Sequence, residues 1–444
     1  MENSIIIIDN DQNVFFDLYT SSLFLKNIPY SDSERLSFYQ EYKNIRQKKQ
    51  NELLNQNNRK ITSINIIPTY NCDGRCSYCY NSDINNNYYQ QDLTIDKIEK
   101  HMNNLISQNI DITNVTSIRF YGGEPLLNKN LYDIIMYFQN KYQPVIHISS
   151  GLLFSDDIFN TNLIMLKKLK EQFVNFSITT TIDFGSDPYT RNYKDSNIDS
   201  YNMLQNRLKL LLQNGIKVVY ATVINKNTNI NLLEEQLIKT YNDIKSFDDV
   251  YNIQILSTEN VLRPFSFRFS VANDNIFYPS IVQVNLLYDL FKKLYNKFPI
   301  ISNLYPYSDV VCGSTIKKIE EDIYTFIYPP TRCGVYTYMI EIFPDKLGVC
   351  HMNVDDSQIL FTKNSPIYDQ LYTNINCNDC MYELICRKGC PYRKLYAPLA
   401  NESYCQWIKY SFELAWQRIY EMCSNDKNKL KTYIEKYINK KVII

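Results

Sequence analysis

From residue 61 onward, strand-like apolar runs alternate with longer stretches whose apolar positions recur at helical spacing. We predict strands at 61–68, 116–121, 145–149, 174–182, 216–224 and 251–256, and helices at 94–108, 128–140, 157–172, 200–214 and 231–246. Such alternation is typical of parallel strands joined by right-handed crossovers. Because six units are fewer than the eight of a closed barrel, we expect an α/β fold with a partial, open (β/α)6 barrel. Its catalytic groups should lie at the C-terminal ends of the strands.

The flanking regions follow other patterns, which predict further domains. Within the first 60 residues, strands at 4–8 and 14–19 precede a polar helix at 31–57. Helices are also predicted near 281–297 and at 407–422. The predicted domains are 1–60, a small N-terminal α+β element; 61–257, the barrel core; 258–330, a bridge; 331–422, a cysteine-rich domain with its C-terminal helix; and 423–444, a tail.

Composition and charge exclude several classes of function. The chain has 444 residues, is 45% apolar and 21% charged, and is therefore globular rather than disordered. Lysine plus arginine and aspartate plus glutamate both number 47, so the chain lacks the basic excess of a nucleic-acid-binding protein. The apolar run Ile5–Ile8 is too short for a membrane span and follows no basic region. We expect a cytoplasmic protein whose partners are neither nucleic acid nor membrane.

The 12 cysteines are the informative part of the composition. Three form an N-proximal cysteine trio, Cys72, Cys76 and Cys79, and the others follow residue 311. Disulfide scaffolds are typically short and secreted, so metal or cluster ligation is the better interpretation. Zinc is the alternative, although the trio has no nearby histidine or fourth cysteine to complete a tetrahedral site. A four-iron cluster held by three thiolates leaves one iron open to a small molecule.

The run Cys72-x3-Cys76-x2-Cys79, directly after the first predicted strand, resembles the signature of radical S-adenosylmethionine (SAM) enzymes. The resemblance implies a [4Fe-4S] cluster on the trio, SAM at its open iron, and Tyr78 near the adenine. A second motif, Gly122-Gly123-Glu124-Pro125, follows the second strand, where relatives meet the amino group of SAM. Glycines allow close backbone approach, and a carbonyl or carboxylate accepts from an ammonium. The alternative is a glycine-rich turn without a ligand.

Weaker matches to this family continue along the barrel. Ser149 and Ser150 follow the third strand, where relatives often have Thr-Asn-Gly near the ribose. Thr181 ends the fourth strand, at the position of the relatives' Ser-x-Asp-Gly. Arg191 resembles an arginine that holds the SAM carboxylate, because a guanidinium forks well onto a carboxylate. The alternative for each is an ordinary strand end or a surface charge.

The C-terminal cysteines resemble the SPASM extension of radical SAM enzymes, which holds two auxiliary four-iron clusters. The resemblance implies that the distal cluster is bound by Cys377, Cys380, Cys386 and Cys405. It implies for the proximal cluster the ligands Cys333, Cys350 and Cys390. Cys386-x3-Cys390-Pro391 also has the ending of two-cluster ferredoxins, in which the last cysteine binds the other cluster. Cys312 either completes the proximal cluster or leaves it with an open iron, and the remaining Cys423 is interpreted as a small buried apolar residue.

The resemblance implies an enzyme with three [4Fe-4S] clusters and SAM, in which a 5′-deoxyadenosyl radical takes a hydrogen atom from the substrate. SPASM enzymes mostly act on peptides and proteins, so we expect a ribosomally made precursor peptide and a thioether or carbon–carbon cross-link. The expected electron donor is a protein such as flavodoxin or ferredoxin. An anaerobic sulfatase-maturing enzyme, which forms formylglycine, shares this layout and is one alternative. A non-catalytic iron–sulfur electron carrier or a zinc-binding scaffold is the alternative from another class.

Two questions stay open at the level of sequence. Residues 1–60 either offer a strand edge to a leader peptide or cover the first strand of the barrel. Asp183, Tyr121 and Cys423 are each candidates for a catalytic acid or base, and nothing in the sequence selects among them.

Overall fold

The computed structural model describes residues 4–55, 60–76, 79, 92–172, 174–186, 191–224, 228–251, 265–271, 281–295, 315–327, 338–348, 380–386 and 401–435. In chain order its strands are β1 Ile5–Asp9, β2 Val14–Asp17, β3 Ser22–Phe24, β4 Ser63–Ile66, β5 Gly74–Cys76, β6 Ser117–Phe120, β7 Val145–Ser149, β8 Phe176–Thr181, β9 Arg191–Tyr193, β10 Val218–Ile224, β11 Phe265–Val271, β12 Thr315–Glu320, β13 Ile323–Ile327, β14 Met339–Ile342 and β15 Leu347–Gly348. Its helices are α1 Asp32–Asn55, α2 Ile95–Ser107, α3 Leu131–Tyr142, α4 Asp156–Glu171, α5 Ser200–Gln213, α6 Ile230–Tyr251, α7 Ile281–Tyr295, α8 Glu383–Cys386, α9 Asn401–Met422 and α10 Lys427–Tyr433.

The larger sheet has eight strands in the order β11-β10-β8-β7-β6-β4-β14-β15. The strands β4, β6, β7, β8, β10 and β11 pair in parallel, and the helices α2 to α6 connect them in sequence. This alternation of parallel strands and helices confirms the predicted α/β fold. Beyond β4, the strand β14 adds a further parallel pairing, and β15 returns antiparallel to β14.

The sixth parallel strand lies later in the chain than we predicted. Of the strand predicted at 251–256, Tyr251 instead ends α6, and residues 252–256 lie outside the described residues. The partner of β10 is β11, which starts at Phe265. Every residue of β10 has a register partner in β11. A short apolar run does not by itself decide strand pairing, since the fit against the neighbouring strand contributes as much. The strand β11 therefore starts after residue 257, where we predicted the barrel core to end. Residues 252–264 lie outside the described residues.

The larger sheet, called the barrel sheet below, has one apolar face, against which the helices pack. Side chains alternate between the two faces along each strand, and partners in a parallel register share a face. One such row consists of Ile66, Phe120, Ile148, Ile178 and Val218, which are all fully buried. They belong to one core with apolar residues of α2 to α6. This burial fixes the register, because a slip of one residue would turn the apolar row away from the helices.

The opposite face of the same sheet is polar. The neighbouring register row, running from β14 to β8, consists of Glu341, Asn65, Arg119, His147 and Ser177. His147 Nδ1 and Ser177 Oγ lie 3.0 Å apart, within hydrogen-bonding distance. Because the helices occupy the other side, this polar face lines the inside of the open barrel. It leads directly to the C-terminal strand ends, where the predicted site residues lie.

Several barrel helices begin at side chains that cap their first turn. Thr94 Oγ1 accepts from the backbone of α2 at 3.4 Å, Ser155 Oγ from α4 at 3.5 Å, and Asp199 Oδ1 from α5 at 3.0 Å. Such caps satisfy amide groups that have no partner within the helix. Within the described residues, no helix combines the length and the apolar character that crossing a membrane requires.

The smaller sheet joins distant parts of the chain. Its five strands have the order β1-β2-β3-β13-β12, so residues 5–24 pair with residues 315–327. The rings of Phe16, Phe326 and Trp416 form its core, with Phe16 and Phe326 each 5.2 Å from the Trp416 ring. Because Trp416 lies on α9, three regions that are far apart in the sequence share one core.

Candidate functional site

The cysteine loop, which carries Cys72, Cys76 and Cys79, follows the C-terminal end of β4. Its strand β5 pairs antiparallel with β9, and Cys76 is the register partner of Arg191. Gly74 N donates to Cys72 Sγ at 3.3 Å, and Cys79 N donates to the Cys76 carbonyl at 3.2 Å. A Cβ placed on Gly74 would lie 3.4 Å from Cys72 Sγ and 3.9 Å from Cys76 Sγ. The loop therefore brings these two thiols to the same side of Gly74.

The chemistry of this loop fits an iron–sulfur cluster better than a single metal ion. Within the described ranges, no three His, Cys, Asp or Glu side chains converge closely enough to hold one ion. A four-iron cluster is wider, and its thiolates bind different irons. Burial raises the pKa of Cys72 to about 12 and also raises the pKa of Cys76, so both thiols are protonated when no metal is bound. Binding of a cluster would release these protons.

The glycine turn, Gly122–Pro125, packs on the cysteine loop. Gly122 has a φ of 119°, a conformation that favours glycine, and a Cβ there would lie 2.5 Å from Ile67 Cγ2. A Cβ on Gly123 would lie 2.5 Å from the carbonyl oxygen of Asn71. The two glycines are therefore needed because the turn and the loop approach each other without room for a side chain.

Glu124 connects the glycine turn with the cysteine loop and with the end of β7. Its backbone N donates to Asn71 O at 2.7 Å, and its Oε2 accepts from Gly151 N at 2.8 Å. The residue is 2% exposed. Burial raises the pKa of Glu124 to about 7, although hydrogen bonds from Ser150 and from backbone amides oppose the rise. The carboxyl group thus fastens two loops at the edge of the sheet.

Arg191 lies at the meeting point of these segments. A Cβ on Gly151 would lie 3.4 Å from Arg191 Nη2 and 3.6 Å from Glu124 Oε2, so the three residues converge. Burial raises the pKa of Cys76, Arg191 opposes this rise, and Asp183 adds to it. Both charged residues therefore lie near the second thiol of the trio.

The predicted hydroxyl residues lie at strand ends of the same edge. Ser149 ends β7 and Thr181 ends β8, and both are half-buried. Ser150 is buried, and its Oγ accepts from Leu152 N at 3.0 Å as well as bonding to Glu124. The roles of all three toward SAM stay predictions, as does that of Tyr78, which lies outside the described residues.

A buried carboxylate that we did not predict lies on the polar face of the barrel sheet. Glu341 of β14 is fully buried and accepts hydrogen bonds from the Tyr121 hydroxyl and from Asn65 Nδ2, the latter at 3.2 Å. Tyr121 directly precedes the glycine turn, so this contact ties β14 to the turn. The signal for this residue in the sequence is a single glutamate in the short apolar run Met339–Ile342. Nothing in that run indicates that β14 pairs with β4.

The C-terminal cysteines are described in part. Cys380, Cys386 and Cys405 are half-buried and form no disulfide, and Cys423 is buried in the core of the smaller sheet. The burial of Cys423 agrees with its interpretation as an apolar residue. The ligand roles of the whole group stay predictions. Five of its members lie outside the described residues: Cys312, Cys333, Cys350, Cys377 and Cys390.

Residues 66–237 match the radical SAM superfamily. The radical SAM cyclopropyl synthase TigE of Paramaledivibacter caminithermalis is 22% identical over 275 residues, which are 58% of this chain and 52% of TigE. A GTP 3′,8-cyclase of Clostridium perfringens is 27% identical over 175 residues, which are 38% of this chain and 49% of the cyclase. The chain thus spans about half the length of these relatives. It carries a radical SAM domain.

The fold is similar to that of solved structures. A structure of anSMEcpe with bound AdoMet superposes with a TM-score of 0.52 at 15% identity, over 80% of this chain and 98% of that one. A structure of anSMEcpe with AdoMet and the Kp18Cys peptide gives a TM-score of 0.51 at 14% identity, over 80% and 97% of the two chains. These similarities show that the chain shares the fold of these structures.

Proposed function

We propose that this chain is a radical SAM enzyme that modifies a ribosomally made peptide. The observation that carries the proposal is the convergence of the cysteine loop, the glycine turn and Arg191 at one edge of a parallel sheet. In parallel α/β folds, the C-terminal ends of the strands are where ligands bind. The radical SAM match over 66–237 includes all three features.

The cysteine trio would hold a four-iron cluster whose remaining iron is open to SAM. When bound, the cluster and SAM supply a radical that abstracts a hydrogen atom from the substrate. The guanidinium of Arg191, opposite Cys76 in register, would bind a carboxylate such as that of SAM. The close contact of Gly123 with Asn71 O fixes the spacing between the glycine turn and the cysteine loop.

Glu124 has a positioning role in this proposal. Its carboxyl group is 2% exposed and is bound by the amide of Gly151, so it keeps the glycine turn against the end of β7. The backbone carbonyls of the glycine turn are then the acceptors for the amino group of SAM.

A peptide substrate is supported by the polar inner face of the barrel. On this face, the exposed guanidinium of Arg119 and the half-buried imidazole of His147 can bind the C=O and N–H groups of a peptide backbone. The similar fold of anSMEcpe accommodates the Kp18Cys peptide. We propose a thioether or a carbon–carbon cross-link as the product, with auxiliary clusters on the C-terminal cysteines and a flavodoxin or ferredoxin as electron donor.

Formation of 5′-deoxyadenosine tests the radical SAM assignment. We expect the iron-loaded, chemically reduced protein to produce it from SAM under anaerobic conditions. Alanine in place of all three trio cysteines should abolish the product, because no open iron remains. The matched control is Cys423→Ala, which removes a buried thiol outside the proposed ligand set. A fully iron-loaded wild-type protein that yields no 5′-deoxyadenosine would refute the assignment.

The modified peptide distinguishes the proposed product from formylglycine. We expect a precursor peptide encoded beside the gene to lose two hydrogen atoms and to gain a cross-link that tandem mass spectrometry can locate. A product that instead reacts with a hydrazide probe carries an aldehyde, which indicates formylglycine. A peptide of unchanged mass, in a reaction that still forms 5′-deoxyadenosine, would contradict this choice of substrate.

A further inference from the structure

We propose that helix α1 supports the cysteines Cys380 and Cys386 as ligands of an auxiliary cluster. In this role, Tyr39, Lys43 and Arg46 hold the cysteine segment, residues 380–386, and set the charge beside it. The role presupposes the proposed function, in which Cys380 and Cys386 bind an auxiliary cluster. It gives the N-terminal element a function other than contact with a leader peptide.

Three side chains of α1 bind the cysteine segment directly. Tyr39 Oη donates to the carbonyl oxygen of Cys380 at 2.8 Å. Arg46 donates from Nη1 to the carbonyl oxygen of Glu383 at 2.9 Å and from Nη2 to its carboxylate at 2.6 Å. Lys43 Nζ lies 3.1 Å from the other carboxylate oxygen of Glu383. The segment is therefore fastened both at its first residue and at its centre.

The three residues share one face of α1. Positions 39, 43 and 46 are four and three residues apart, a spacing that places side chains next to one another on a helix. The helix is rich in lysine, glutamine and asparagine and has no continuous apolar stripe. Polar contacts with the cysteine segment therefore help to dock the middle of α1, beside the packing of the Tyr39 ring on Tyr19 at 5.3 Å.

The cysteine segment contacts both the barrel core and the core of the smaller sheet. Cys380 packs against the core of the smaller sheet, and Cys386 packs against the barrel core. Both thiols are half-buried and neither forms a disulfide. Thiolates in such a partly shielded position are the donors that iron–sulfur clusters take in proteins. The donor chemistry therefore fits the proposed cluster, and α1 holds the segment that supplies it.

The contacts also mean that α1 brings two cations to one carboxylate of the segment. Glu383 is three residues from each cysteine and is 3% exposed, and it faces the two cations Lys43 and Arg46. Charges that are shielded from water interact more strongly than exposed ones. Nearby charge sets the reduction potential of a cluster, and positive charge favours its reduced form. We therefore expect α1 to raise the potential of the cluster that it helps to hold.

The experiment uses the full chain with alanine at all three trio positions, so that any cluster belongs to the other cysteines. After anaerobic reconstitution, the midpoint potential and the iron content are measured. Arg46→Gln leaves more negative charge and should shift the potential to more negative values, whereas Glu383→Gln should shift it to more positive values. The matched control is Lys26→Met, which removes one cation from the exposed Lys26–Glu320 pair of the smaller sheet.

Opposite shifts in the two variants support the role of α1, because partial unfolding would not move the potential in both directions. Lower iron content in Arg46→Gln than in the Lys26→Met control supports the holding role. Potentials and iron contents equal to the control in both variants overturn it. A trio-deficient protein that binds no iron also overturns it, since no auxiliary cluster is then present. The proposed function fails independently if iron-loaded wild-type protein forms no 5′-deoxyadenosine.

Discussion

At the scale of single residues, the candidate site depends on its glycines as much as on its charged and thiol side chains. Gly122 and Gly123 bring the glycine turn onto the backbone of the cysteine loop, and neither position has room for a Cβ. Gly151 differs, because a Cβ there would meet the side chains of Arg191 and Glu124 at 3.4 and 3.6 Å, near ordinary contact distance. Sequence alone does not separate these glycines, since the difference arises from what packs against each one.

Gly123→Ala should therefore disturb the cysteine loop. The added methyl group meets backbone at Asn71, which cannot rotate away, and overpacking of this kind costs about 1–3 kcal/mol. We expect lower iron content and weaker SAM binding, measured by iron analysis and equilibrium dialysis of the reconstituted protein. Gly151→Ala is the control and should have a smaller effect. Equal losses in the two variants would contradict the steric explanation.

Glu124 makes the stability of the cluster-free protein depend on pH. Its pKa is raised by burial from 4.5 to about 7, so the folded state binds more protons than the unfolded state between these values. The free energy of unfolding should consequently fall as pH rises through this window, by about 3 kcal/mol in all. Denaturant unfolding at about pH 5 and about pH 7.5 measures the fall. Glu124→Gln cannot ionise and should lack it, whereas an equal fall in that variant would rule out Glu124 as the cause.

At the scale of elements, α1 is fastened at its beginning as well as at its middle. Arg35 Nη1 lies 2.7 Å from Asp17 Oδ1 of β2, and both side chains are buried. Removing one partner of a buried ion pair is costly, because it leaves the other charge without compensation. The ion pair thus orients α1 relative to the smaller sheet, and Tyr39 and Arg46 then lie further along the helix, at the cysteine segment.

We expect Arg35→Met to lower the free energy of unfolding by about 3–5 kcal/mol. Lys26→Met, in an exposed ion pair, should change it by less than about 1 kcal/mol. Chemical denaturation of both variants in the cluster-free state measures the difference. Similar stability of the two variants would show that the buried pair does not orient α1.

At the scale of the whole molecule, predictions from sequence succeeded where the signal is local. The strands β4, β6, β7, β8 and β10 and the helices between them were predicted from apolar periodicity, whereas the roles assigned to the cysteine loop and glycine turn from their motifs stay predictions. Pairings between distant segments were not predictable in this way. The strand β14 beside β4, with Glu341 against Asn65, depends on packing across 276 residues. The register of Cys76 with Arg191 likewise becomes visible only when β5 and β9 form.

The pairing of β3 with β13 has a consequence for synthesis of the protein on the ribosome. Ser22 and Thr325, whose hydroxyls lie 2.7 Å apart across these strands, are 303 residues apart. At about 5–20 residues per second, the first strands leave the ribosome roughly 15–60 s before their partners do. Contacts of such separation form late in folding, and unpaired strand edges favour aggregation in the meantime. The N-terminal strands are therefore the segment for which chaperone protection during translation matters most.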